Sequence, residues 1–176
     1  MASSFSGRLN LSVKAFEFIN DGIAAGQIPA EILEDISLAK GTSDGQIDLA
    51  YYQQKTGIGA GVTTVYDLTG SLTDKSGGNI NFAEVCLIAI RNLSTDAVDY
   101  LEVGPDASNG FGVLGSNRGF WKDASDRSIV MADSWWVAYN KAAAPVAAGS
   151  TDELAVVTPG GSSGNTWDII IMGRSA

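Results

Sequence analysis

The apolar positions of this chain come in short bursts, each closed by Gly, Asp, Asn, Ser or Pro. The clearest are "VTTVYDLTGSL" (62–72), "NINFAEVCLIAIRNL" (79–93), "DYLEV" (99–103), "FGVL" (111–114), "RSIVM" (127–131), "SWWVAYN" (134–140), "DELAVVT" (152–158) and "TWDIIIM" (166–172). Bursts of this length, rich in β-branched and aromatic residues, predict strands joined by turns. About eight strands with no long helical period between them predict a mainly β protein, an antiparallel sandwich or barrel. In "TWDIIIM", Trp167, Ile169 and Ile171 share one strand face, while Asp168, Ile170 and Met172 share the other. The second face is half apolar, so this strand either packs on both sides or meets another subunit, and Ile170 is a candidate interface residue. Strict alternation fails at Ala83 and Glu84, which predicts a bulge there or burial of both faces beyond Val85.

The first 60 residues follow another pattern. The stretch "LSVKAFEFINDGIAAGQIPAEILEDISLAKG" mixes short apolar groups with "GQIPAEILEDI", and no heptad or longer repeat appears. Pro29 sits where it could open a short helix. The division expected is therefore an N-terminal arm or extra strands over 1–60, with room for one short helix, followed by a β-sandwich over 61–176. Phe16, Phe18, Ile19 and Ile28, together with Tyr51 and Tyr52, are the arm's candidate contacts to a partner.

Composition narrows the chemistry. With 176 residues, 45% of them hydrophobic and 18% charged, the chain can bury one core. Eleven Lys and Arg against 20 Asp and Glu leave a net charge of -9, and the basic residues are scattered singly. Such a surface repels phosphate backbones and anionic lipids, so neither nucleic acid nor membrane is expected as a partner. Histidine is absent, which removes the commonest general base and the Ser-His and Cys-His nucleophile pairs. The single cysteine, Cys86, lies within "VCLIAI" and reads as a small core side chain. There is no apolar leader segment at the N-terminus and no run of about 18 apolar residues, so synthesis as a soluble cytoplasmic protein is expected.

One stretch imitates catalytic machinery. "GSLTDKS" (70–76) has the glycine and Lys-Ser of a phosphate loop, but the spacing is one residue short and Asp74 replaces the second glycine. That carboxylate would face the phosphates, and the "GGN" that follows would break the helix that should hold them. With Asp74, Gly77, Gly78 and Asn79 as turn formers, the stretch predicts a hairpin. The carboxylates Asp96, Asp99 and Glu102, and Asp123 and Asp126, lack calcium-loop spacing and suit solvated loops. No catalytic residue, metal site or cofactor is predicted. Adjacent Trp135 and Trp136 must point to opposite strand faces, so one fills the core and the other is left for a neighbouring loop, a protein contact or a sugar.

The order of phrases resembles a family of small tailed-phage virion proteins. The matching stretches are "ISLAKGTSDGQIDLAYYQQKTG", "YDLTGSLTDKSGGNINFAEVCLIAIRNLS" and "TDELAVVTPGGSSGNTWDIIIMGRS", spanning about 36 to 174, whereas Trp121 to Met131 has no clear counterpart. Members of this kind are similar to capsid decoration, or cement, proteins. The resemblance implies a jelly-roll-like sandwich that trimerises on the outer surface of the head, non-enzymatic, with the major capsid protein as partner. A fibre module or carbohydrate-binding sandwich using an outward Trp is the rival expectation.

Overall fold

The computed structural model describes residues 7–20, 25–74, 76–114, 118–159 and 164–176, with the backbone alone for 7 and 9–34. Strands are its only regular elements. In chain order they are β1 (Gly7–Asn20), β2 (Ala25–Lys40), β3 (Gln46–Ile47), β4 (Leu49–Ile58), β5 (Val62–Asp67), β6 (Leu72–Thr73) and β7 (Asn79–Ile80). There follow β8 (Glu84–Asn92), β9 (Leu101–Pro105), β10 (Ser128–Val130), β11 (Trp135–Pro145), β12 (Glu153–Thr158) and β13 (Asn165–Arg174).

Eight of these strands make two four-stranded antiparallel sheets, ordered β11-β8-β13-β4 and β10-β9-β12-β5. Counted in chain order, the first of the eight pairs with the eighth, the second with the seventh, the third with the sixth and the fourth with the fifth. That nested pairing is the jelly roll, a long antiparallel ribbon rolled into two facing sheets. The fold is thus the mainly β sandwich expected, in its jelly-roll form.

The inward positions build the core. Ile88, Ile90, Trp167, Ile169 and Ile171 from the first sheet meet Tyr66, Leu101, Val103, Leu154 and Val156 from the second. Each alternates with an outward residue, as the pleat requires. Trp167 Nε1 donates to the Tyr66 hydroxyl at 3.1 Å, satisfying a donor with no water in reach of it. Asn92, fully buried, donates to the Asp99 carbonyl at 2.7 Å and the Val130 carbonyl at 3.1 Å, tying the end of β8 to the opposite sheet.

Several expectations need correction. No helix opens at Pro29, which lies within β2 opposite Phe16. β2 has β1 on one side and, along that stretch, no second strand, so a residue without an N–H is tolerated there. Residues 49–58, placed from sequence within an arm or extra strands over 1–60, form β4, the edge strand beside β13. "FGVL" is not a strand: Gly112 turns at a φ of 82°, Phe111 is buried, and the only pairing is a bridge between Val113 and Trp121. The eight sandwich strands therefore gain β4 and lose this segment.

Other expectations agree with the structure. β6 and β7 pair as a hairpin, Leu72 opposite Ile80 and Thr73 opposite Asn79. Asp74 Oδ1 accepts from the Ser76 and Gly78 amides at 2.7 and 2.9 Å, and Gly77 takes a φ of 84°. Asp74 is a turn cap with its Oδ1 engaged by two backbone amides, not a wall of a phosphate site. Val85, Cys86, Leu87 and Ile88 are all buried, and the β8–β13 register slips between Met172 and Gly173.

β1 and β2 form a two-stranded ribbon, with β2 also meeting the short β3 at Ala39 and Lys40. They pair over 14 rungs, from Gly7 opposite Leu38 to Asn20 opposite Ala25. At about 3.4 Å per residue that is roughly 45 Å of ribbon, longer than any sandwich strand.

Candidate interaction surface

The outer face of the first sheet carries the residues of interest, arranged in rows by the strand register. One row runs Tyr52, Ile170, Ala89, Val137 across β4, β13, β8 and β11. The row beside it runs Gln54, Asp168, Arg91, Trp135. Trp135 is 62% exposed, Tyr52 45% and Val137 43%. Ile170 and Ala89 between them are half-buried. The result is an apolar band across a whole sheet, larger than the scattered apolar side chains every surface carries.

Polar groups in the band are held in place. The Tyr52 hydroxyl donates to Asp168 Oδ1 at 3.1 Å and Gln54 Nε2 donates to the same oxygen at 3.0 Å. That hydrogen bond raises the Tyr52 phenol above its ordinary value, because ionisation would set it against the carboxylate. The Arg91 guanidinium lies 5.2 Å from the Trp135 ring centroid, a cation over an aromatic face. Beside the β6–β7 hairpin the band dips into a cavity of about 330 Å³ lined by Tyr52, Ile170, Met172, Ala50, Thr73 and Asp74.

The next part of the same face is covered by the root of the ribbon. Leu38 is buried in a small cluster with Ile47, Cys86 and Ala143, and Ile36, Tyr139 and Met172 pack around it. Burial pushes the Cys86 thiol up from its usual range, as expected of an inert packing residue. Backbone bonds stitch the root down: Gly45 N–H donates to the Lys141 carbonyl at 3.2 Å and Asp48 N–H to the Gly173 carbonyl at 3.1 Å. Arg174, almost fully buried, bonds Glu84 at 2.8 Å, Asp44 at 3.2 Å and the Ala142 carbonyl at 2.9 Å. Along the ribbon's outer side the Arg8 guanidinium pairs with the Asp35 carboxylate, holding it below the usual carboxylate range.

The structure separates the candidates named from sequence. Trp135, Tyr52 and Ile170 come together on the open face. Trp136 turns inward and stacks on Trp121 with centroids 5.6 Å apart and planes 18° apart, so it serves the core. Tyr51 is also inward, its ring edge-on to Tyr66 at 6.1 Å, and is not a surface anchor. Phe16, Phe18, Ile19 and Ile28 lie on the ribbon, opposite Pro29, Gln27, Gly26 and Glu17 respectively, and their side chains are outside the described residues. Sequence reasoning missed Val137, Ala89 and Arg91. The signal for Val137 was present, since Trp135, Val137 and Tyr139 keep period two along "SWWVAYN".

Of the acidic stretches, Asp96 and Asp126 act in turns, Asp96 Oδ1 accepting from the Val98 amide at 3.2 Å and Asp126 Oδ2 from the Asp123 amide at 3.0 Å, whereas Asp99, expected in a solvated loop, is buried and Glu102 lies in β9. Among the described residues no group of three or more Cys, Asp or Glu is placed to hold a metal ion.

Fold and face together define a jelly-roll sandwich that bears an open apolar sheet face and a long two-stranded ribbon. Comparison of the chain with protein-family models, with curated proteins and with solved structures finds no match.

Proposed function

We propose that this chain is a non-enzymatic structural protein of a tailed-phage virion, a capsid decoration (cement) protein. It self-associates on the outer surface of the head, as a trimer, and strengthens contacts between capsomers through the major capsid protein. The single observation that supports this reading best is the pairing of a compact jelly roll with a ribbon of roughly 45 Å. Such a reach suits binding across a boundary between neighbouring molecules. The resemblance of "YDLTGSLTDKSGGNINF" and "TWDIIIMG" to small virion proteins points the same way. Many weak contacts repeated by symmetry would resist the outward pressure of packaged DNA, since each linked contact raises the effective concentration of the next. The fold alone would not support it, because jelly rolls host unrelated functions.

The test is location. Gold-tagged antibody against the chain, applied to virions of the phage that encodes it, should label the head surface. Label confined to tails, or virions without the chain, would sink the reading.

A second reading is favoured by one observation, the exposed Trp135 ring beside Arg91, Asp168 and Gln54. A sugar could stack on that ring while the polar groups hold its hydroxyls, as in a fibre or carbohydrate-binding module. Glycan-array binding that is lost in Trp135→Ala and kept in Trp121→Phe would select it.

A further inference from the structure

The register of the ribbon sorts its residues onto two unlike faces. One face has Leu9 opposite Ile36, Val13 opposite Ile32 and Ala15 opposite Ala30. The other face carries Arg8, Asn10, Ser12 and Lys14 on β1 with Ser37, Asp35, Leu33 and Glu31 on β2 near the root, and becomes apolar only toward the tip, at Phe16, Pro29 and Phe18. The root shows which face is meant to be covered. Leu38 and Ile36 belong to the apolar one, and they pack against Cys86, Tyr139 and Met172 on the outer face of the first sheet. Among the described side chains, those of these first rungs are seated on the chain's own sandwich, and Trp135 and Val137 stay open on that same sheet. A two-stranded ribbon by itself is marginal in water, so the remaining apolar rungs call for a cover.

We infer that the ribbon of one copy lays its apolar face across the open Tyr52–Val137 and Trp135 rows of a second copy. Three observations select this occupant. The contact continues one already made, because the root docks the same ribbon face on the same sheet face. The charges are compatible: over the distal rungs the ribbon's apolar face carries Glu34 and Glu17, and the open band offers Arg91, beside Trp135 and Asp168. Each copy also has one ribbon to give and one band to receive, so a reciprocal exchange between two copies, or a closed ring of more, leaves no spare surface. The inference deepens the self-association in the proposed function, yet it does not depend on the chain being on a capsid. Loss of the head label with exchange intact would remove the virion reading alone.

The test uses the full chain and two substitutions, Val13→Asp on the ribbon and Val137→Asp on the band. Sedimentation should give an oligomer for the unaltered chain and the 18.3 kDa monomer for each variant alone, with at least a tenfold weaker association. An equal mixture of the variants should regain a dimer, because the Val137→Asp chain keeps an intact ribbon and the Val13→Asp chain an intact band. A merely misfolded variant would not be rescued in this way. Acrylamide quenching, assigned with Trp135→Phe, should find Trp135 shielded in the unaltered oligomer and open in the Val13→Asp chain. A monomeric unaltered chain, an oligomer indifferent to Val13→Asp, a mixture that stays monomeric, or an oligomer with Trp135 still quenchable would each overturn the inference.

Discussion

Tyr51 and Tyr52 are adjacent and chemically identical, yet one is core and the other surface. Period two along β4 decides it: Tyr51 packs on Tyr66, and Tyr52 turns out to Asp168. Burial holds the Tyr66 phenol well above its ordinary value, and Tyr51 is pushed the same way. An acid whose pKa is raised on folding keeps its neutral form in the native state. Its contribution to stability is whole below the unfolded value of about 10 and is lost as the pH rises from there toward the folded one. Thermal melts between pH 8 and 11 should therefore show a falling Tm above about pH 10. Tyr66→Phe should flatten that fall while lowering Tm at pH 8, because the Trp167 N–H loses its acceptor. A slope unchanged by the substitution would mean that another group governs alkaline unfolding. At this scale the sequence was legible wherever a residue sat inside a clear alternation, as with Trp135 and Trp136. Burial of Cys86 was legible too, but not its cover: on the outer face it is buried by Leu38, 48 positions earlier in the chain.

Among elements, the ribbon root is the joint on which the outer surface depends. Leu38 fills it, and Arg174 pins the loop after β2 through Asp44 and the Thr42 carbonyl. Leu38→Ala should cost about 3 kcal/mol, in the range of buried leucine truncations. The loss should fall on the ribbon more than on the jelly roll, because the root cluster is separate from the main core. Hydrogen exchange should then speed up across 36–47 while amides of β8 and β13 keep their protection. Equal loss of protection in all of them would show that ribbon and sandwich unfold as one unit. In the sequence β4 is legible only as one alternative, extra strands within 1–60, because Gln53 and Lys55 occupy its inward positions near the sheet edge, where half-burial tolerates polar side chains. "FGVL" misled in the opposite direction. Its apolar residues serve the core from a loop, and Gly112 supplies the turn that a strand would forbid.

For the molecule as a whole, charge and apolar surface pull in opposite directions. Each copy carries a net charge of -9, so copies repel at long range while the open band favours contact at short range. Raising salt from about 10 mM, where the Debye length is roughly 30 Å, to about 150 mM, where it is roughly 8 Å, should strengthen self-association. Sedimentation across that series checks it; association that weakens with salt would mean that Glu–Arg91 pairing outweighs the repulsion. The sequence by itself determined that this chain is mainly β, that "GSLTDKS" is a turn, and which residues of β11 and β13 share a face. Those properties follow from local period and turn chemistry, which act over a few residues. Tertiary structure alone decided that the strands nest as a jelly roll, that β4 closes the sheet, and that Tyr52, Ile170, Ala89 and Val137 form one row. Those four residues lie on four separate strands, and no local pattern in the chain encodes the long-range pairings that bring them into register.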